Sequence, residues 1–130
     1  MVVSRPEQAT AAALFVVGAF QLALAVGAPW GRAAYGGAYA GTLPGHRRTV
    51  SGLAALAYGT GAGLVLLGSG SPEARARAFT ALSVLMGIGP VANAASRSPA
   101  ERALWTPVAA VTAVLAWRSR TAGRQDGCGA

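Results

Sequence analysis

The chain has 130 residues, 53% of them hydrophobic and only 12% charged, so a single domain fits and the question is which solvent it folds in. Its net charge of +7 comes from 11 arginines and no lysine, and these flank apolar runs instead of forming one continuous patch. That argues against a nucleic-acid partner and for helix-end anchors at a lipid headgroup layer. One cysteine, Cys128, excludes an internal disulfide framework and a zinc site built on paired thiolates.

Four uncharged runs follow in chain order, over 8–31, 49–72, 78–96 and 103–117. The first three exceed the length of about 18 residues that reads as a membrane span. An alternative reading of the first, a secretory signal cleaved after Ala25, is disfavoured because Arg5 and Glu7 give its leader no net charge. The fourth run is short, but Ser98-Pro99-Ala100-Glu101 ahead of it is a helix-start signature: Ser98 caps, Pro99 lacks the donor that would be orphaned, and Glu101 reaches back to free N–H groups. Helix four then begins near Pro99, with Arg102 and Arg118 able to snorkel to the two interfaces. The same grammar, Ser4-Arg5-Pro6-Glu7 and Ser71-Pro72-Glu73, precedes helices one and three.

The expected architecture is all-α, an integral membrane four-helix bundle forming one domain over residues 1–120. Its spans fall at about 8–29, 50–68, 76–95 and 100–118, and 121–130 reads as a polar, disordered tail. Small residues every four positions predict close packing: Ala19, Ala23 and Gly27 on helix one, and Ser51, Ala55, Gly59 and Gly63 on helix two. These faces meet each other or a second copy of the chain. Pro90 and Pro107 predict kinks in helices three and four.

Loop one carries Gly27-Ala28-Pro29-Trp30-Gly31-Arg32, then Gly36-Gly37 and Leu43-Pro44. Loop three and the start of helix four carry Asn93, Ser96, Arg97, Ser98, Glu101, Arg102 and Trp105. With four spans, both loops emerge on one side, so these segments can form one polar cap. In that cap Arg97 or Arg102 would support the Gly27–Arg32 turn, and Asn93 would satisfy backbone groups loosened near Pro90. The candidate binding residues are therefore Trp30, Arg32, Asn93, Ser96, Arg97, Glu101, Arg102 and Trp105. Each has a structural reading beside it: Trp30 and Trp105 as interfacial belt residues, Glu101 as a cap, Asn93 as a partner for backbone carbonyls.

In these segments the chain resembles a family of small four-span membrane proteins of bacteria, actinobacteria above all, with a GAPWG motif after the first span. The family shares Leu-Pro before the second span and the pattern N-x-x-S-x-S-x-x-E-R-x-x-W-x-P-V, matched here from Asn93 to Val108. The resemblance implies the four-span topology and a bacterial inner-membrane location. It implies no activity.

Catalysis finds no machinery in the sequence. Lone His46 has no second ligand nearby for a metal, Ser96 and Ser98 have no partnered base, and no cofactor motif is present. The expected function is thus non-enzymatic, binding a protein or lipid through loops one and three, with membrane lipids, a protein partner or a second copy as partners. A transporter or channel component is the alternative. It would not be coupled like the small multidrug exporters, because helix one holds Gln21 where they have a membrane-embedded Glu. A membrane enzyme acting on an anionic headgroup through Arg32, Arg97, Glu101 or Arg102 ranks last. Six arginines at the termini and loop two against five in loops one and three lean towards both termini in the cytoplasm.

Overall fold

The computed structural model describes residues 2–125, and at positions 89, 90, 92, 93 and 123–125 the backbone only. It is all-helical, with four α-helices: α1 Arg5–Ala25, α2 Gly45–Leu66, α3 Pro72–Ala94 and α4 Pro99–Gln125. Two short 3-10 turns, Gly31–Ala33 and Tyr35–Gly37, lie in loop one.

The helix boundaries follow local chemistry. In α1 the Ser4 amide donates to Glu7 Oε2 at 2.8 Å, closing the expected cap with Pro6 in the first turn. Gly27 ends that helix in the left-handed region, φ 106°, so Gly27 to Trp30 leave it rather than extend it to residue 29. Pro44 caps α2 from outside, drawing His46, Arg47 and Arg48 into its first turn. Helix α4 is continuous through Pro107 and passes Arg118 to Gln125, so residues 121–125 of the expected tail are helical. Cys128 and Asp126 lie outside the described residues.

The helices pack as two pairs, α1 with α2 and α3 with α4, joined chiefly where α1 meets α4. That junction is polar: Thr10 and Ser119 place their hydroxyls 3.1 Å apart in a buried contact, and each also bonds a carbonyl of its own helix. Between α3 and α4, Ser83 donates to the Ala113 carbonyl at 2.8 Å. Arg75 of α3 bridges to Glu7 of α1 at 2.5 Å, tying the pairs together at the end where the chain starts.

Gly18, one residue before the expected Ala19, carries the α1–α2 contact. A Cβ on Gly18 would lie 3.2 Å from Tyr58 Cβ and 3.7 Å from the Ala55 carbonyl and the Gly59 amide. Ala19 itself is exposed, and a Cβ on Gly59 or Gly63 would meet nothing within 4 Å. The stripe on α2 touches α1 through the backbone at Ala55 and Gly59, and its Gly63 end is open.

Buried positions are shared between small or hydroxyl residues and a few large apolar ones, Leu14, Leu24, Leu43 and Phe79, while many other large apolar side chains are exposed. Thr10, Ser51 and Thr112 are wholly buried, whereas Leu56 is 68% and Val91 72% exposed, in company with Phe15, Leu53, Leu64, Ile88 and Val114. Two helices, α1 and α2, are long and apolar enough to cross a membrane. Helices α3 and α4 have 23 and 27 residues, lengths of about 34 and 40 Å at the usual rise.

Candidate functional site

Loop one is held on its own glycines and on α2. The Gly31 amide donates to the Gly41 carbonyl at 2.9 Å, and a Cβ on Gly31 would fall 2.5 Å from the Tyr39 carbonyl oxygen, so the crossing admits only glycine. Arg48 of α2 donates Nε–H to the Ala25 carbonyl at 2.9 Å, and Thr42 donates to Gly27 at 3.1 Å, covering carbonyls that α1 leaves free at its end. Tyr35, with φ 51°, sets its hydroxyl 3.1 Å from the buried Ser51 hydroxyl, and its ring lies 5.0 Å beneath the Arg47 guanidinium.

Loop three is organised around Ser96. The Ser98 amide donates to Ser96 Oγ at 3.1 Å, and Ser96 in turn donates to Glu101 Oε2. The Glu101 amide donates to Ser98 Oγ at 3.3 Å. Glu101 therefore does not reach back to the cap amide as the sequence suggests, because Ser96 stands between them as a relay. Arg102 donates to the Ser96 carbonyl at 2.8 Å.

The two loops meet. Trp105 donates its indole N–H to the Ala33 carbonyl at 2.6 Å, and Ser98 Oγ donates to the Arg32 carbonyl at 2.5 Å. Gly37, at φ 72°, rests against Ser98, where a Cβ would come within 2.6 Å of Ser98 Cβ. Phe20 of α1 links the two tryptophans: its ring stacks on Trp30 at 6.0 Å between centroids and meets Trp105 edge-on at 4.5 Å.

Beneath this cap, between all four helices, lies a cavity of about 390 Å³. Its wall includes Phe20, Gln21, Tyr35, Tyr58, Glu101 and Trp105. Glu101 is 8% exposed, and Gln21 Oε1 is buried with no hydrogen-bond partner among the described residues.

Of the candidate residues, Trp30, Ser96, Glu101 and Trp105 come together at the cap, and Arg32 contributes its carbonyl while its side chain is exposed. Arg97 is exposed, and Arg102 bonds within its own loop, so neither supports the Gly27–Arg32 turn. The Asn93 side chain lies outside the described residues. Reading the sequence missed Ser98 as a bridge, and it missed Tyr35, Arg48, Gly31 and Gly37. The glycine pairs were the available signal, since a turn passing under another backbone needs residues without a Cβ. Among the described residues no group of three metal-ligating side chains occurs. Comparison with family models, with curated proteins and with solved structures found no match to this chain.

Proposed function

We propose that the chain is a four-span protein of the bacterial inner membrane, with both termini cytoplasmic, that binds a lipid or protein partner through the cap of loops one and three. The membrane reading rests on the outward apolar surface: hydroxyl side chains such as Thr10, Thr112 and Ser119 are buried while many leucines and valines, with Phe15, face outwards, an arrangement water penalises and lipid favours. The even number of helices puts both loops of the cap on one side, and the family resemblance supports the same topology. The binding reading rests on one observation, the pinning of loop one to α4 by Trp105 and Ser98, which makes the cap a fixed surface.

Gentle extraction from native membranes, followed by identification of co-purifying lipids and proteins, tests this. A stoichiometric partner lost in a Ser98→Ala, Trp105→Phe double variant supports it, and a partner retained by that variant places binding elsewhere. An impermeant maleimide should leave Cys128 unlabelled in intact cells and label it after permeabilisation. The cavity beneath the cap supports a second reading, a small-molecule transporter or channel component with no coupling carboxylate in α1. Protein-dependent solute flux into liposomes would favour it.

A further inference from the structure

We infer that the cavity beneath the cap binds a hydrophobic organic cation, a substituted ammonium group carrying an alkyl chain. The inference rests on the cap being the binding site and names its ligand class. Among the described residues the cavity wall carries one carboxylate, Glu101, and one carboxamide, Gln21, and no cationic side chain. Glu101 is a buried carboxylate whose side-chain partner is the Ser96 hydroxyl, and the one ion pair among the described residues is Glu7 with Arg75, at the opposite end of the bundle. Gln21 adds a buried carbonyl oxygen with no donor. An anion would meet the Glu101 carboxylate with no cationic side chain on the wall to offset it, whereas a cation is attracted to that carboxylate and to the Gln21 carbonyl dipole.

The rest of the wall has the same preference. Arg47 already covers one face of Tyr35 and Phe20 stacks on Trp30, leaving Tyr58 and Trp105 as the main rings on the wall for a second cation. Ring faces attract substituted ammonium groups, which hydrogen-bond poorly and lose little when they leave water. A place for the chain adjoins. Tyr58, Leu85 and Met86 also line an apolar cleft of about 760 Å³ that runs between α2 and α3 towards loop two, past Leu64, Val65 and Phe79. A headgroup at Glu101 would lead its alkyl chain past Tyr58 into that cleft.

The full-length protein in lipid nanodiscs, titrated calorimetrically with hexyltrimethylammonium against empty nanodiscs, tests this. Hexyl sulfate and tetramethylammonium serve as the matched anion and the chainless cation. Saturable binding of hexyltrimethylammonium is expected, with tetramethylammonium weaker and hexyl sulfate absent. Glu101→Gln keeps an acceptor for Ser96 and should weaken binding about tenfold or more. Gln21→Leu, away from the loops, should weaken it less and serves if Glu101→Gln does not fold. Equal binding of the sulfate, no binding of the cation, or wild-type affinity in both variants overturns the inference while leaving the four-span reading in place. Failure of the protein to insert into nanodiscs overturns both.

Discussion

The indole N–H of Trp105, nearly two turns into α4, donates to the carbonyl oxygen of Ala33 in loop one at 2.6 Å, across 72 residues of sequence. Trp105→Phe keeps a ring against Phe20 but leaves that carbonyl without its donor. A loss of about 1 to 3 kcal/mol is expected, read as a lower melting temperature in detergent. An unchanged melting temperature would show that the bond does not hold the loop.

The loop-one glycines should separate by the space around them. Gly37→Ala both strains a left-handed backbone and drives a Cβ into Ser98, whereas Gly36→Ala, at φ 71°, meets nothing within 4 Å and carries the strain alone, about 1 kcal/mol. Gly37→Ala should therefore be the more damaging, and measured against Ser98→Gly alone its added cost should fall towards that of Gly36→Ala. Equal melting temperatures for the two single variants would contradict the contact.

Acid should loosen the opposite end of the bundle. Burial pushes the Glu7 carboxyl up, but hydrogen bonds from the Ser4 amide, the Arg75 guanidinium and the Ser4 hydroxyl, with the Arg75 charge, outweigh it and hold its pKa below the ordinary value. A carboxylate depressed on folding contributes stability above its unfolded pKa and loses it as pH falls through the folded one. Melting temperature should then drop below about pH 4. Glu7→Gln should flatten that limb and, by leaving Arg75 buried and unpaired, cost on the order of 3 kcal/mol at neutral pH. An acid limb identical in the variant would exclude Glu7 as its origin.

Packing between α1 and α2 should depend on Gly18 and not on Gly63. Gly18→Leu places a side chain where Tyr58 Cβ is already 3.2 Å away, an overpacking cost of about 1 to 3 kcal/mol. Gly63→Leu projects into open space and should leave the monomer's stability unchanged. A change in oligomeric mass on Gly63→Leu, measured by light scattering, would identify the open end of the stripe as a contact with a second copy.

The helices were legible because their signals are local. Ser4, Pro6 and Glu7, or Ser71 with Pro72, announce a helix start within four residues, and the apolar runs behind them set its length. Which small residues touch was not legible, because Gly18 and Ala19 differ by one position, about 100° around the helix, and a four-residue stripe can be drawn through either. The meeting of loops one and three was expected from a run of four helices, which returns both loops to one end. The bridging atoms were not, since Ser98 and Trp105 bond main-chain carbonyls, which carry no side-chain signature. Arginines had seemed the natural bridge for charge reasons, yet Arg102 finds a nearer carbonyl at Ser96.

The open seam between α2 and α3 lies between two sets of cross-links that tie the ends of the bundle. Trp105 and Ser98 join loop one to α4 at one end, and Glu7 with Arg75 joins α1 to α3 at the other. Between these ties, α2 and α3 are parted by the apolar cleft. A bundle tied at its ends yields most at its middle, so under the proposed membrane reading a ligand would enter sideways between α2 and α3, near Tyr58 and Met86, without opening either end.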